Sequence, residues 1–289
     1  MADTQSEIYA QAYGRNIMQL AQQKYSKLIN YVFMRPNVTG KTFFQDRIGS
    51  WSMSVKGGRN VATPNNDPSL SRRMGTLVDY HDARLLDRGD ELRTISDPRS
   101  AYTIAAAGSL GRKIDDVILS AIVGTAYYGE TGSSSVTHSN TVTIATVGYI
   151  TLANLASIKK KFDDADVEEE DRIIVITPTS LSNLLQVSQI TSADYAVVKA
   201  LVRGEIDSFM GLKFITSTRI AQISGGNIAA GSYSCIAFQR FGVCLAMGAT
   251  PMVRTDERTD LSYSWQIYYE LNIGGVRLEE ARVVSGDTP

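Results

Sequence analysis

Between Phe43 and Asp97 the sequence alternates in a way that suits an extended chain. Trp51, Met53 and Val55 interleave with Ser50, Ser52 and Ser54, and beyond GGRNVATPNNDPS a second run places Met74, Thr76, Val78 and Tyr80 at the same spacing. Period-two alternation predicts strands, and the Gly/Pro/Asn/Asp cluster between the runs predicts a turn, so the segment reads as one long β-hairpin. Its flanks are heavily charged: Lys56, Arg59, Arg72 and Arg73 first, then Asp79, Asp82, Asp87, Asp90 and Glu91. A two-stranded hairpin is marginally stable by itself in water. An arm of this length therefore needs a partner surface, either the rest of the chain or a neighbouring molecule.

The rest of the chain is ordinary globular material. Hydrophobic residues make up 43% of 289 and charged residues 20%, which excludes disorder throughout. Lys and Arg number 29 against 30 acids. With no cationic excess to release counterions from a phosphate backbone, any contact with DNA is expected to be weak and non-specific. The opening MADTQSEIYAQ has no basic flank leading into an apolar stretch, and nowhere do about 18 apolar residues run together. The expectation is a chain made in a cytoplasm, with no membrane partner. Cys235 and Cys244 each sit inside an apolar run and read as core thiols.

Helical spacing recurs at Ile8, Ala12, Ile17, Leu20, Ala21, Tyr25, Leu28, Ile29 and Val32, predicting an amphipathic helix over 5–32 that Pro36 ends. A second helix is predicted from Pro98, with Ser96 or Asp97 as cap, to near Gly124. Its stripe is Ile104, Ala107, Leu110, Ile114, Val117, Ile118, Ala121 and Ile122. At 1.5 Å per residue it would reach on the order of 40 Å. Gly108 and Gly111 inside it cost roughly 1 kcal/mol each relative to alanine, which implies a close crossing by another backbone. Downstream, a loop at 129–140 precedes a strand from Thr141 to Val147, a helix from Thr151 to Ala165 and an acidic corner from Asp163 to Asp171. A strand Ile173–Ile176, a helix opened by Thr177-Pro178, a helix near 192–206 and a strand from Phe209 to Ser217 follow. Tyr263, Trp265, Ile267, Tyr269, Leu271 and Ile273 then alternate into Gly274-Gly275, which predicts a terminal hairpin returning through Val276 to Val284. Helices and strands mixed in this order indicate an α+β fold.

Sites for chemistry are scarce. Thr39-Gly40-Lys41-Thr42 resembles the tail of a phosphate-binding loop, but that loop needs a glycine where Arg35 stands. His81 and His138 are the only histidines. On a strand His81 and Asp82 would face opposite sides, and His138 lies in a Gly/Ser/Thr loop. The acids of 163–171 lack the glycine turn and spaced ligands of a calcium loop. The basic groups Arg72-Arg73 and Lys159-Lys160-Lys161 lack interleaved aromatics. No catalytic residue, metal or cofactor is expected.

The order of elements resembles the major capsid proteins of tailed bacteriophages that share the Hong Kong 97-like shell fold. The likeness is strongest in AYTIAAAGSLGRKIDDVILSAIVGTAYYGETG, SFMGLKFITSTRI and CIAFQRFGVCLAMG. It implies an N-terminal arm over 1–40 and an extended β-hairpin loop over 41–95. It also implies a peripheral domain over 96–165 and 250–289 with a long spine helix, and an axial domain over 166–249. In such shells the loop lies on the neighbouring subunit, which makes Trp51, Lys56, Arg59, Arg72, Arg73, Asp79 and Asp82 the expected inter-subunit contacts. Leu110, Ile114, Val117 and Ile118 would form the spine-helix core. Ser224, Gly225, Gly226 and Asn227 would face the capsomer axis. The implied function is a structural, non-enzymatic shell of hexamers and pentamers around packaged double-stranded DNA, in the virion and assembled in the host cytoplasm. Implied partners are a portal protein, a separate scaffolding protein and a decoration protein. Two rival readings are an encapsulin-like nanocompartment of the same fold enclosing a cargo enzyme, and a hydrolase using His81 or His138.

Overall fold

The computed structural model describes residues 22–86, 98–145, 150–186, 208–223, 233–248 and 252–287. In chain order the elements are β1 (Phe33–Arg35), β2 (Thr42–Ile48), β3 (Leu70–Thr76), β4 (Val78–Leu86), α1 (Pro98–Val123), β5 (Ala126–Tyr128), β6 (Ser134–Val136) and β7 (Thr141–Thr143). They continue as α2 (Leu152–Asp164), β8 (Arg172–Ile176), α3 (Pro178–Gln186), β9 (Ser208–Phe209), β10 (Leu212–Thr216) and β11 (Tyr233–Gln239). The last are β12 (Val243–Met247), β13 (Met252–Arg258), β14 (Ser264–Arg277) and β15 (Val283–Asp287). The chain forms two compact units. One comprises Met1–Ser26, Asp79–Arg112 and Pro251–Leu271, the other Lys27–Val78, Lys113–Thr250 and Asn272–Pro289. Both α1 and β14 run through the two. Among the described residues no helix is long and apolar enough to cross a membrane.

The larger unit is built on a six-stranded sheet in the order β7-β15-β11-β8-β10-β9. The apolar run of β8 is buried at every position because it pairs on both edges, parallel to β10 and antiparallel to β11. Leu155, Ile158 and Phe162 of α2 pack into the same core as Ile174, Ile176, Ala237 and Val284. Thr151 starts α2 with a capping box, its hydroxyl accepting from the Asn154 N–H while Asn154 Oδ1 accepts from the Thr151 N–H. Met210 and Gly211 both have positive φ (54° and 76°). They turn β9 onto β10 in a two-residue hairpin, so Phe209–Ser217 is not one strand.

A second sheet, β2-β3-β5-β6, covers a smaller core of Phe43, Leu77, Ala126, Cys244, Ala246, Val276 and Leu278. The hairpin expected from the sequence is present, but its ladder runs from Thr42↔Thr76 to Ile48↔Leu70. The serine-interleaved stretch 50–55 lies beyond the paired part. Part of the segment expected as a loop at 129–140 is β6, paired with β5.

The terminal hairpin does not form at Gly274-Gly275. Here β14 runs straight through, pairing Gly274 with Ala246 and Gly275 with Leu245 of β12. A Cβ at Gly274 would stand 2.2 Å from the Thr76 carbonyl oxygen, and one at Gly275 would stand 2.7 Å from Ala121 Cβ. The glycines are there for close approach to a neighbouring backbone and to α1, the alternative use of glycine inside a strand.

The 26-residue helix α1 forms as expected, with Gly124 closing it through a bond from its N–H to the Ser120 carbonyl. Ile114, Ile118, Leu119, Ile122 and Val123 are buried, while Leu110 and Val117 are half-buried and Ile104 is 50% exposed. The apolar stripe is therefore sealed along its C-terminal half only. The close crossing predicted at the glycines is made by residues 23–26: a Cβ on Gly111 would lie 2.8 Å from the Ser26 nitrogen. Of the helix predicted over 5–32, residues 5–21 fall outside the described residues, and the remainder holds only a 3-10 turn at Ile29–Tyr31. Leu28 and Val32 are nevertheless buried.

That turn is held by a group with no sequence signature. Asp115 of α1 is fully buried, and its carboxylate accepts from the backbone N–H groups of Lys27 and Leu28 at 3.1–3.2 Å. Removing it leaves buried donors unsatisfied, so Asp115→Ala is expected to lower stability by about 1–3 kcal/mol in urea unfolding. Asp115→Asn, which keeps an acceptor, should lose less.

Both cysteines are core residues, free and buried. Burial pushes the Cys235 thiol up to about 12 and the Cys244 thiol up to about 11. Neither should react with a disulfide reagent at pH 8 in the native protein, and both should react once denaturant is added.

Candidate interaction surface

The hairpin ladder ends at Ile48 and Leu70, where the Gly49 N–H donates to the Ser69 carbonyl at 2.7 Å. Residues 50–69 continue as an irregular loop. It exposes Trp51 by 73%, Met53 by 101% and Val55 by 96%, beside the exposed Val61, Ile48 and Leu70. Lys56 and Arg59 are exposed on the same loop. The Ser/apolar alternation does not make a strand because no strand lies beside it to pair with. Burying a large apolar side chain is worth about 1.5–3 kcal/mol. A loop that shows several of them to water is a candidate surface for another molecule.

At the loop base, Arg72 pairs with Asp46 at 2.6 Å and lies over the Phe44 ring at 5.4 Å. Hydrogen bonding from Arg72 holds the Asp46 carboxyl below its ordinary range. Next to this pair is an open cleft of about 670 Å³, lined by Asp46, Ile48, Leu70, Arg72, Tyr128 and Glu130 among others.

Arg73 departs from the expectation of an exposed arm cation. It is 4% exposed, because adjacent residues of a strand point to opposite faces. Its Nε donates to the Leu278 carbonyl at 3.1 Å, and its guanidinium pairs with Glu280 at 3.3 Å. Arg47 donates to the same carbonyl. The two arginines thus tie the hairpin base to the C-terminal segment.

Glu280 is shared with Arg277, whose side chain is wholly buried and whose Nε lies 2.8 Å from Oε2. Arg277 also donates to the carbonyls of Ile122 and Gly124 at 2.6 Å and of Val136 at 3.2 Å. It caps the C-terminus of α1 and fastens β6 and the end of β14 to it. Sequence reasoning passed over this residue; a lone cation at the end of the buried run Ile273–Val276 was the available signal.

His138 belongs to this polar core. Its Nε2 is 3.0 Å from Ser285 Oγ, and its Nδ1 is 3.9 Å from Glu280 Oε2. A serine, a histidine and a carboxylate in that order invite a hydrolytic reading, but Ser285 is fully buried and His138 is 8% exposed. A nucleophile with no accessible face cannot meet a substrate, and Glu280 is already committed to two guanidinium groups.

In the smaller unit His81 is exposed on β4, its ring 6.4 Å from that of Tyr268. The Asp82 carboxylate accepts from the Tyr269 hydroxyl at 2.6 Å and from the Ala83 N–H at 2.8 Å. Asp79 is exposed. The acidic run is partly neutralised within the larger unit: Asp163 pairs with Lys159 and Arg172, Glu168 with Arg282, and Asp171 with Arg240. Ser224, Gly225, Gly226 and Asn227 lie outside the described residues, as does the helix expected near 192–206.

The family model for phage capsid protein matches residues 6–288. The chain belongs to the phage capsid protein family. Solved structures agree on the fold of this capsid protein. The capsid of cyanophage P-SCSP1u superposes with a TM-score of 0.77 at 15% identity, covering 98% of this chain and 94% of that one. A structure from Mycobacterium phage Che8 gives 0.71 at 16% identity over 96% and 97%. The capsid of a native GTA particle gives 0.72 at 13% identity over 99% and 97%. No curated protein matches the sequence significantly. The phage capsid protein is thus a structural shell component of a virion with the Hong Kong 97-like fold, and a nanocompartment shell is not the favoured reading.

Proposed function

We propose that copies of this capsid protein assemble as hexamers and pentamers into a closed icosahedral shell around packaged double-stranded DNA. The reading assigns an arm over 1–40, an extended loop over 41–95 laid on the neighbouring subunit, a peripheral domain over 96–165 and 250–289, and an axial domain over 166–249. The observation that supports it best is the loop carrying Trp51, Met53 and Val55 almost fully in water. A monomer gains nothing from such a loop, whereas a lattice of identical copies buries it at every repeat. A net charge of −1 accords with a wall that contains DNA without gripping it. Assembly in the host cytoplasm, with a separate scaffolding protein, a portal and a decoration protein, completes the proposal, and catalysis has no part in it.

Negative-stain electron microscopy with light scattering on the purified chain, alone and co-expressed with the scaffolding protein, tests this. Capsomer rings or closed particles are the expected result. A persistent monomer under both conditions would overturn it.

A further inference from the structure

We infer that the pocket between β4, α1 and β14 receives the acidic corner 166–170 of a second copy of this chain. The inference deepens the shell reading and rests on it. The pocket lies within the smaller unit and holds about 420 Å³. Its floor is apolar, with Ala106 and Ile267 buried, and two cations stand in its wall. Arg84 is exposed and lies over the Tyr102 ring at 5.8 Å. Arg112 is held through one nitrogen: its Nη1 donates to Gln22 Oε1 at 3.0 Å and to the Gln23 carbonyl at 2.9 Å. Neither guanidinium has a carboxylate partner among the described residues. The pocket's own acid, Asp82, is engaged, one oxygen accepting from the Tyr269 hydroxyl and the other from the Ala83 N–H. Two uncommitted guanidinium groups over an apolar floor suit carboxylates, to which each can donate two parallel N–H bonds.

The chain itself supplies such carboxylates. In the acidic run, Asp163, Asp164, Glu168 and Asp171 are paired with Lys159, Lys160, Arg282 and Arg240. Asp166, Glu169 and Glu170 are exposed and have no cationic partner among the described residues. The backbone that presents them is fixed. Arg172, 4% exposed, donates its Nε to the Glu168 carbonyl at 2.9 Å and its Nη2 to the Val167 carbonyl, and the Asp166 N–H donates to the Asp163 carbonyl at 3.1 Å. A corner already ordered loses little freedom on docking. An acidic knob and a cationic hole at different places on one molecule make a heterologous, head-to-tail contact, which closes into a ring when the rotation allows. Opposed charges of this kind set register and partner choice more than raw affinity, so the contact selects how one copy meets the next.

Charge reversal on each side, then on both together, tests it. Arg84→Glu is made in one chain, Glu169→Arg with Glu170→Arg in a second, and all three changes in a third. Each is co-expressed with the scaffolding protein, and particle yield is measured by light scattering and negative-stain microscopy. The first two chains are expected to lose closed particles by about tenfold or more, because like charges then face each other at every repeat. The third chain restores opposite charges and is expected to recover most of the yield. Circular dichroism of the unassembled subunits reads folding separately. If a reversed chain fails to fold, the neutral Arg84→Gln and Glu169→Gln chains take its place, each expected to lower the yield and to weaken its dependence on salt. Normal yields from the folded single-side chains, or no recovery in the folded third chain, overturn the pocket assignment and leave the shell reading standing. Absence of any ring or particle from the unmodified chain with its scaffolding protein would overturn the shell reading, and this inference with it.

Discussion

Replacing Arg277 by methionine is expected to lower stability by about 3–5 kcal/mol, the cost of breaking a buried ion pair by removing one partner. The guanidinium donates to the Ile122, Gly124 and Val136 carbonyls and forms an ion pair with Glu280. Without it the last turn of α1 loses a cap, and the half-buried Glu280 carboxylate is left with Arg73 alone among the arginines. Arg277→Lys should recover only part of the loss, because a single ammonium cannot reproduce the planar fork. Urea unfolding followed by circular dichroism measures both variants, and a loss under about 1 kcal/mol would refute the role given to Arg277.

The same cluster is expected to make the stability of the capsid protein depend on acid. Burial pushes the Glu280 carboxyl up, but the adjoining His138 and Arg277, together with the charge of Arg73, outweigh burial and leave it below its ordinary value. A carboxylate depressed in the folded state contributes stability that is fully present above its unfolded pKa and lost as pH falls through its folded one. Glu280→Gln should therefore flatten the acid limb of a plot of unfolding free energy against pH. Unchanged slopes would exclude Glu280 as the origin.

The second large effect is on assembly and leaves folding alone. Excising residues 51–67 and bridging the gap with a short Gly-Ser turn is expected to abolish closed particles while changing the unfolding free energy by no more than a surface change does, about 0.5 kcal/mol. The excised part makes no strand pairing, and its apolar side chains are in water. The ladder Thr42–Ile48 with Leu70–Thr76 and the Gly49–Ser69 closure remain. Loss of the folded circular dichroism signal would show that the loop contributes to its own subunit's core. Normal particles would show that it contributes to no neighbour.

Local rules served well wherever a residue's own neighbours in sequence decide its state. The bounds of α1 follow from Pro98 and Gly124, the start of α2 from Thr151, and the burial of β8 from an unbroken apolar run; the burial of Cys235 and Cys244 follows from their apolar surroundings. They failed where two segments distant in sequence compete for the same residues. The Gly274-Gly275 pair has the composition of a turn, and only the approach of Thr76 and Ala121 shows why glycine is needed in mid-strand. The alternation at 50–55 has the period of a strand, but a strand exists only when another edge lies beside it. Arg72 and Arg73 look equivalent in sequence, and the pleat sends one to solvent and the other to Glu280.

The sequence by itself determined the class of fold, the long helix and the buried thiols, because those depend on periodicity and composition. Tertiary structure alone decided where the arm's ladder stops, which cations are buried, how Asp115 holds the entry turn and how Arg277 gathers the end of α1. The reason is physical: a buried polar group is tolerated only with its partners in place, and the backbone partners of Asp115, Arg277 and Arg73 lie from 87 to 205 residues away in the chain.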